Sequence, residues 1–371
     1  MTGRSFLKSC CIILIAILFI LQSGCGFKDI DKRSFVMSIG LDYTNHTNHP
    51  YKVTIKLAIP TGSIKEAKGT TYSYLTKESS SLSEALRIMK TYTDKDLNLG
   101  HAKVIVLGQD LLSKDINKIM DFFLRRRDIQ MISWISAGKP TAEKVLKITP
   151  KSENTATSTL YNLFEGTGVE SPYIISIPLF DFRRKLVERG INPVVPLIEA
   201  KEDANILAVN KAVVLTETDK TLYLNSKQTK EYNLLSSHVK RMNLKVNQDD
   251  LAFSMAVDRI KVNYKLDLAA TQPKIHMNIK LVGIIEESAN LLYPKNLAQY
   301  NKAAEKEMEE RIIHLLEYFQ NHQVDPLGFG VRFKATRLHN SDIYSTWKKI
   351  YPEVKFIVHA KCSIKSTGSI E

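Results

Sequence analysis

Apolar and polar residues alternate along several segments of the chain, with the period of two that is typical of half-buried β-strands. The segments 35–43, 51–59 and 274–281 place apolar side chains on one face and mostly polar side chains on the other. Residues 206–216 and 221–224 predict a β-hairpin. The uninterrupted apolar run Val104–Gly108 predicts instead a strand that is covered on both faces. Further strands are predicted over residues 129–136, 251–257, 259–268 and 354–364.

Apolar residues spaced three and four apart predict helices between these strands. The longest is expected near Asn296–Asn321, with an apolar stripe on one side. Glu305, Glu307, Glu309 and Glu310 are predicted to cover the opposite side. Shorter helices are expected in seven further segments: 82–89, 115–126, 141–148, 159–164, 179–189, 229–240 and 341–351.

The order of these elements predicts an α+β fold with several domains, built from mixed and antiparallel β-sheets with packed helices. Pro193, Pro196 and the polar stretch 199–204 suggest a linker. We therefore expect a signal peptide over residues 1–24 and an N-terminal mixed α/β domain with a helical second part over 25–200. A C-terminal α+β domain is expected over residues 205–371.

The first 25 residues have the pattern of a secretory signal. Arg4 and Lys8 precede an uncharged apolar run of 12 residues, 10–21, and small residues lead to Cys25. The run is shorter than the roughly 20 residues that span a bilayer core. This pattern predicts export from the cytoplasm, either as a lipoprotein, as a plain secreted protein or with an uncleaved anchor helix.

Ser23-Gly24-Cys25 resembles a bacterial lipobox, although Gln22 stands where a leucine is usual. The resemblance implies that the Cys25 thiol carries S-diacylglycerol. After cleavage the new N-terminus would be N-acylated, for example with palmitate. Cys25 is thus the predicted lipid-attachment site.

The chain is basic, with a formal net charge of +13, which falls to +11 when Arg4 and Lys8 leave with the signal. Anionic lipid head groups or wall polymers could attract this charge, and nucleic acid is the least expected partner of an exported protein. A basic face toward lipid and a scattered solubilising charge both fit the sequence. Cys362 lies on the apolar face of a predicted strand, which indicates a buried thiol.

Motifs of the common enzyme classes are missing from the sequence. The chain has no G-x-S-x-G, H-E-x-x-H or C-x-x-C motif and no phosphate-binding glycine-rich loop. His46 and His49 are expected in a solvated loop, and His101 as a structural residue. The segment 181–185 could bind anions or form the polar face of a helix. We therefore predict no enzyme, no catalytic residue, no cofactor and no metal.

Four stretches of the chain resemble the Ger(x)C family, the lipoprotein C subunits of bacterial spore germination receptors. They are residues 24–42, 100–108 with the helix and strand that follow, 192–214, and 325–330 with Trp347 and the last strand. The resemblance covers nearly all of the predicted mature chain, and it rests on the order and spacing of these stretches.

The resemblance implies a non-enzymatic receptor subunit that responds to nutrients together with membrane-embedded A and B subunits. Its implied location is the outer face of the spore inner membrane, where Cys25 would anchor it to the lipid bilayer. A solute-binding lipoprotein of a transporter is the main alternative, and a wall-active hydrolase is a third reading.

Overall fold

The computed structural model describes most of the chain between residues 32 and 366. The described ranges are 32–59, 71–114, 116–150, 159–165, 171–216, 220–236, 239–248, 251–268, 272–337 and 342–366. The predicted signal peptide, residues 1–24, and Cys25 lie outside them. Among the helices within these ranges, none combines the length and the apolar character that a membrane crossing needs.

Thirteen strands and nine α-helices form within the described ranges, so the predicted α+β class is confirmed. The strands are β1 (Arg33–Tyr43), β2 (Tyr51–Ile59), β3 (Thr71–Ser79), β4 (Asp96–Asn98), β5 (Val104–Gly108), β6 (Trp134–Lys139), β7 (Val194–Lys201), β8 (Ile206–Leu215), β9 (Thr221–Leu224), β10 (Met242–Gln248), β11 (Leu251–Asp267), β12 (Lys274–Ser288) and β13 (Lys355–Ile364). The helices are α1 (Leu82–Met89), α2 (Ile116–Arg125), α3 (Ala142–Lys147), α4 (Thr159–Glu165), α5 (Leu179–Val187), α6 (Ser226–Leu235), α7 (Leu297–Asn321), α8 (Phe329–Ala335) and α9 (Ile343–Ile350).

The larger sheet has nine strands in the order β3-β2-β1-β5-β6-β7-β8-β9, with β4 paired to β1. Its centre is parallel, because β1, β5, β6 and β7 run in the same direction. The outer pairs are antiparallel. Every residue of β5 is buried, which confirms the strand predicted from the apolar run.

Helices cover both faces of this sheet. On one face α1, α2 and α5 contribute Met89, Phe123 and Phe182 to a shared core. On the other face α3 and α4 contribute Leu146 and Phe164. This double cover explains why the central strands are apolar at consecutive positions.

The smaller sheet has the order β10-β11-β12-β13 and lies against the long helix α7. The first three strands are antiparallel neighbours, whereas β13 runs parallel to β12. α7 confirms the helix predicted near residues 296–321. Its buried stripe includes Tyr300, Ala304, Met308, Ile312, Leu315, Leu316 and Phe319.

The prediction that Glu305, Glu307, Glu309 and Glu310 cover the side opposite the apolar stripe is wrong, because each accepts a hydrogen bond from an outer strand of the sheet. Asn301, Glu305 and Glu309 accept hydrogen bonds from backbone N–H groups of β13, at 2.8–3.0 Å. On the other side of the helix, Glu307 accepts a hydrogen bond from Asn247 N of β10 at 3.2 Å. α7 thus satisfies backbone donors on both outer strands of the sheet, which would otherwise be unpaired.

Several boundaries differ from the sequence predictions. The segments 251–257 and 259–268 form one strand, β11, and a register shift between Val257 and Arg259 explains the apparent break in alternation. β6 begins at Trp134 instead of residue 129. β10 and α8 were not predicted, because both are short and lie between stronger patterns.

The predicted division at residues 200–205 falls between two strands of the larger sheet. β7 occupies the end of the segment expected to be helical, and it pairs antiparallel with β8. Ala212, Val214 and Leu224, from β8 and β9, join the core around α7. The two halves therefore share a sheet, and the division into domains stays a prediction.

We expect Glu309→Ala to lower the free energy of unfolding by about 1–3 kcal/mol, because a backbone N–H of β13 loses its acceptor. Glu317→Ala is the matched control, since Glu317 is exposed on the same helix. Denaturant unfolding of both variants measures the difference. Equal stability of the two variants would contradict this role for Glu309.

Candidate functional site

The predicted lipid-attachment site, Cys25, lies outside the described ranges, so the anchor stays a prediction. The described chain begins seven residues later, at Lys32. Within the described ranges, the motif stretches come together at Asp42 and at Asp325, and an apolar patch lies on the surface.

The histidines considered from the sequence occupy structural or exposed positions. His46 and His49 lie in the exposed turn after β1, where His46 Nε2 is 3.7 Å from a Glu78 carboxylate oxygen. The His101 ring packs edge-on against Phe35, with the centroids 4.8 Å apart. Within the described residues, no group of three or more metal-ligating side chains could hold a metal ion.

Cys362 is buried in β13, as predicted. Burial raises the pKa of its thiol to about 12, and two nearby glutamates of α7 add to the shift. The thiol therefore stays protonated and unreactive. In the segment 181–185, Asp181 forms ion pairs with Arg184 at 2.8 Å and Lys185 at 3.1 Å. These contacts fit the polar face of α5.

Asp42, in the first motif stretch, holds the N-terminus of α3 against the larger sheet. Its carboxylate oxygens accept hydrogen bonds from Ala142 N at 2.6 Å and Glu143 N at 2.9 Å. Burial raises the pKa of Asp42, and these two backbone donors partly oppose the shift. Gly108, from the second stretch, ends β5 beside it, and a Cβ there would overlap Asp42 Oδ1. The two stretches together position α3.

Asp325, at the turn that follows α7, holds the N-terminus of α8 in the way that Asp42 holds α3. It is 5% exposed, and its carboxylate accepts hydrogen bonds from Phe329 N at 3.1 Å and Gly330 N at 2.7 Å. Burial raises the pKa of Asp325 to about 7, although the backbone donors and Trp347 oppose the shift. Its main chain is paired with Asn192, through Asn192 N to Asp325 O at 3.0 Å and Asp325 N to Asn192 Oδ1 at 2.7 Å. The third and fourth motif stretches meet here.

The backbone around this junction is closely packed. Gly190 has φ of +95°, and a Cβ on it would lie 2.8 Å from the carbonyl carbon of Gly330. A Cβ on Gly330 would lie 2.6 Å from the Trp347 ring. That ring lies between Phe333 and Tyr351, with centroid distances of 5.4 and 5.2 Å. Glycine is therefore required at both positions.

A cleft of about 380 Å³ opens beside this junction. Two of its polar side chains are already engaged within the protein. Asn192 Nδ2 donates to Leu215 O at 3.1 Å, and the Tyr351 hydroxyl donates to Val324 O at 2.9 Å. A solute site would be expected to present such groups to the ligand. The cleft therefore gives the solute-binding alternative little support.

An exposed apolar patch lies on the other half of the molecule, where α5 meets the loop before β6. It consists of Met131, Ile132, Phe180 and Val187, which are 38%, 61%, 52% and 55% exposed. Phe180 N donates to Met131 O at 3.0 Å, which ties the loop to the helix. Phe180 and Val187 are seven residues apart and share one helix face. Clustered exposed side chains of this size are typical of interaction surfaces.

Two family sequence profiles match the chain. One, described as the spore germination protein N-terminal domain, matches residues 26–200. The other, described as spore germination B3/GerAC like, C-terminal, matches residues 210–368. The chain belongs to the Ger(x)C family. The family predicted from the motif stretches is thereby confirmed.

Curated relatives of this Ger(x)C chain are also spore germination proteins. Spore germination protein KC of Bacillus subtilis (strain 168) is 22% identical over 96% of this chain and 95% of its own length. Spore germination protein GerQC of Bacillus cereus is 23% identical over 74% of this chain and 77% of its own length.

The fold of the Ger(x)C chain is similar to that in the crystal structure of the GerBC protein. The TM-score is 0.55 at 16% sequence identity, and the match covers 88% of this chain and 98% of that one. At this identity the likeness supports the fold alone. It agrees with the α+β architecture described above.

Sequence reasoning missed the apolar patch of this Ger(x)C protein. Met131 and Ile132 fell inside a predicted buried strand, whereas β6 begins after them. Phe180 and Val187 lie off the apolar stripe of Leu179, Phe182 and Leu186 in α5, and this was a usable signal. The pairing of Asp42 with α3 and of Asn192 with Asp325 joins residues far apart in the chain, and no local pattern predicts it.

We expect Asp325→Asn to lower the free energy of unfolding by about 1–3 kcal/mol, because the new amide NH₂ would face backbone donors. The loss should depend on pH. The folded pKa, about 7, lies above the ordinary 3.8, so the stabilisation by Asp325 is full below pH 4 and declines as the pH rises to 7. The advantage of wild type over the variant should therefore shrink between pH 4 and 7.

Chemical denaturation across this pH range measures that change. The control is Asp203→Asn, an exposed carboxyl group whose replacement should leave the slope unchanged. Parallel pH profiles for wild type and Asp325→Asn would contradict the assignment.

Proposed function

We propose that this chain is the lipid-anchored C subunit of a nutrient germinant receptor in bacterial spores. It would sit on the outer face of the spore inner membrane and assemble with membrane-embedded A and B subunits. The observation that carries the proposal is the match of both family profiles, which together extend from residue 26 to residue 368. The secretory pattern before Cys25 supports the location.

A role without catalysis is part of the proposal. The two motif carboxylates, Asp42 and Asp325, are buried and accept hydrogen bonds from backbone N–H groups with both oxygens. A general acid or base would have to reach a substrate proton instead. These residues therefore serve the scaffold, and the protein would act through contacts with its partners.

The predicted anchor would hold the folded body close to the bilayer. Six residues lie between Cys25 and Lys32, and the seven residue steps of a fully extended chain reach at most about 25 Å. Proteins embedded in the same membrane are then the nearest partners. This short reach supports assembly with the A and B subunits.

The apolar patch of Met131, Ile132, Phe180 and Val187 is our proposed contact with a membrane-embedded subunit. Burying several large apolar side chains gives a contact the strength that a lasting assembly needs. The patch rests on β6 and α5, since Leu179 N also donates to Ser133 O at 2.8 Å. An apolar surface that is held in place by backbone hydrogen bonds suits a protein partner.

We expect Cys25→Ala to move the protein from the membrane fraction to the soluble fraction, because the lipid acceptor is removed. Fractionation of spore lysates in high salt measures this without electrostatic adsorption. Cys362→Ala is the matched control. That thiol is buried, so its replacement should leave the membrane fraction unchanged. Retention of the Cys25→Ala protein in the washed membranes would exclude lipid as the anchor.

We expect the double variant Ile132→Asp/Phe180→Asp to lose co-purification with the membrane-embedded subunits and to fail in nutrient-triggered germination. Charged side chains would have to be buried at the contact, at a high desolvation cost. The measurement is complementation of a deletion strain that has no redundant receptor. The control, Ile206→Asp/Leu291→Asp, changes two exposed apolar residues elsewhere. Normal germination with the patch variant would remove the patch from the proposal.

A further inference from the structure

The two faces of the smaller sheet have opposite chemical character. Ile275, Met277, Ile279 and Leu281 of β12 point toward the core around α7. The intervening residues of β12, and their neighbours in β11 and β13, point to the other side. Most of the side chains on that side are exposed.

This outer side carries an array of basic side chains, which we name the basic face. Strand register places its members side by side on three adjacent strands. They are Arg259, Lys261, Lys265, Lys274, Lys280, Lys355 and Lys361. His276 and His359 lie among them. Acidic residues on the same side lie toward the ends of the array, Asp267 at the end of β11 and Glu286 near the end of β12.

A row of three lysines crosses the centre of the basic face. Lys261 is the direct cross-strand partner of Lys280, and Lys280 is the direct partner of Lys361. Neighbouring strands are about 4.8 Å apart, so each ammonium group can lie near the next. Like charges placed directly opposite one another destabilise a sheet. The row is therefore a cost to the fold.

Acidic neighbours do not compensate this charge. Throughout the described ranges, the ion pairs join other basic residues to carboxylates, and none includes a member of the basic face. The nearest carboxylates lie at the margins of the face. Asp258 is at the bulge and Asp267 at the end of β11, and Glu286, near the end of β12, accepts a hydrogen bond from Ser254 Oγ at 3.3 Å. The glutamates of α7 are on the opposite side of the sheet and bond to its backbone.

We propose that the basic face binds an anionic membrane surface and is a second contact with the bilayer, beside the predicted anchor. The inference rests on the proposed function, because the short lipid tether proposed there would keep the basic face near lipid head groups. The charges lie on one side of the sheet, so several of them can approach the head groups at the same time. Anionic lipid attracts lysine and arginine near its surface, and the contributions of several residues accumulate.

Nucleic acid fits this face less well. Single-strand binding surfaces combine basic residues with aromatic side chains on which bases stack. The outer positions of the basic face carry lysine, arginine, asparagine, histidine, valine, isoleucine, serine and acidic residues, with no Phe, Tyr or Trp among them. An acidic protein surface is the remaining alternative, and the test below separates it from lipid.

The test compares the wild-type full chain with Lys261→Gln/Lys280→Gln/Lys361→Gln for binding to two kinds of vesicle. One contains phosphatidylglycerol and phosphatidylcholine, and the other contains phosphatidylcholine alone. We expect the variant to bind the anionic vesicles about 100-fold more weakly than wild type in low salt. Binding to the neutral vesicles should be the same for both proteins. The N-terminal segment is identical in both, so the difference reports the face.

Two further variants make the comparison specific. Lys220→Gln/Lys227→Gln/Lys302→Gln removes the same charge from exposed positions elsewhere and should leave the affinity close to wild type. Replacing the three row lysines with arginine keeps the charge and should keep the binding. The glutamine variant should also unfold at the same temperature as wild type or higher, because repulsion within the row is relieved.

Equal affinity of wild type and the glutamine variant for the anionic vesicles would overturn the proposal. An unchanged vesicle affinity with lost capture of the receptor subunits would assign the face to an acidic protein and also overturn it. Failure of the receptor role is a separate result, seen in the Cys25→Ala fractionation and the germination assay. Neither of those outcomes depends on the lysine row.

Discussion

The hydrogen bond from a backbone N–H to a buried carboxylate is the interaction on which this fold depends. Asp42 holds α3 on the larger sheet, and Asp325 holds α8 at the junction of the two halves. Glu305 and Glu309 hold α7 along β13. Each of these hydrogen bonds satisfies a backbone donor, and losing the acceptor leaves that donor unpaired, at a cost of about 1–3 kcal/mol. Helices and sheets of both halves are joined in this way.

This use of acidic residues explains the uneven distribution of charge. Many carboxylates are engaged inside the fold or in ion pairs close to it, so they do not neutralise the lysines of β11, β12 and β13. Seven of the 52 lysine and arginine residues lie side by side on the basic face, which concentrates part of the positive charge there.

Local patterns predicted the elements well and their partners poorly. The apolar pattern was enough to predict α7 and β5, because the stripe of α7 is long and the run in β5 is continuously apolar. It failed for the glutamates of α7, since a helical wheel does not reveal that a strand edge on either side offers N–H groups. It also failed for Met131 and Ile132, whose exposure depends on where β6 begins. The family was predictable because its motif stretches keep their order, although the contacts between them are long-range.

The position of β13 has a consequence for the order of folding. Within the described ranges β13 is the strand nearest the C-terminus, and it is the parallel neighbour of β12 and the strand to which Glu305 and Glu309 bind. The three helices α7, α8 and α9 lie between these partners in sequence, so the contact closes a long loop and forms slowly. The core around α7 is therefore complete only after synthesis has reached residue 364. A chain that stops short of β13 would leave this half open, with apolar surface available for aggregation.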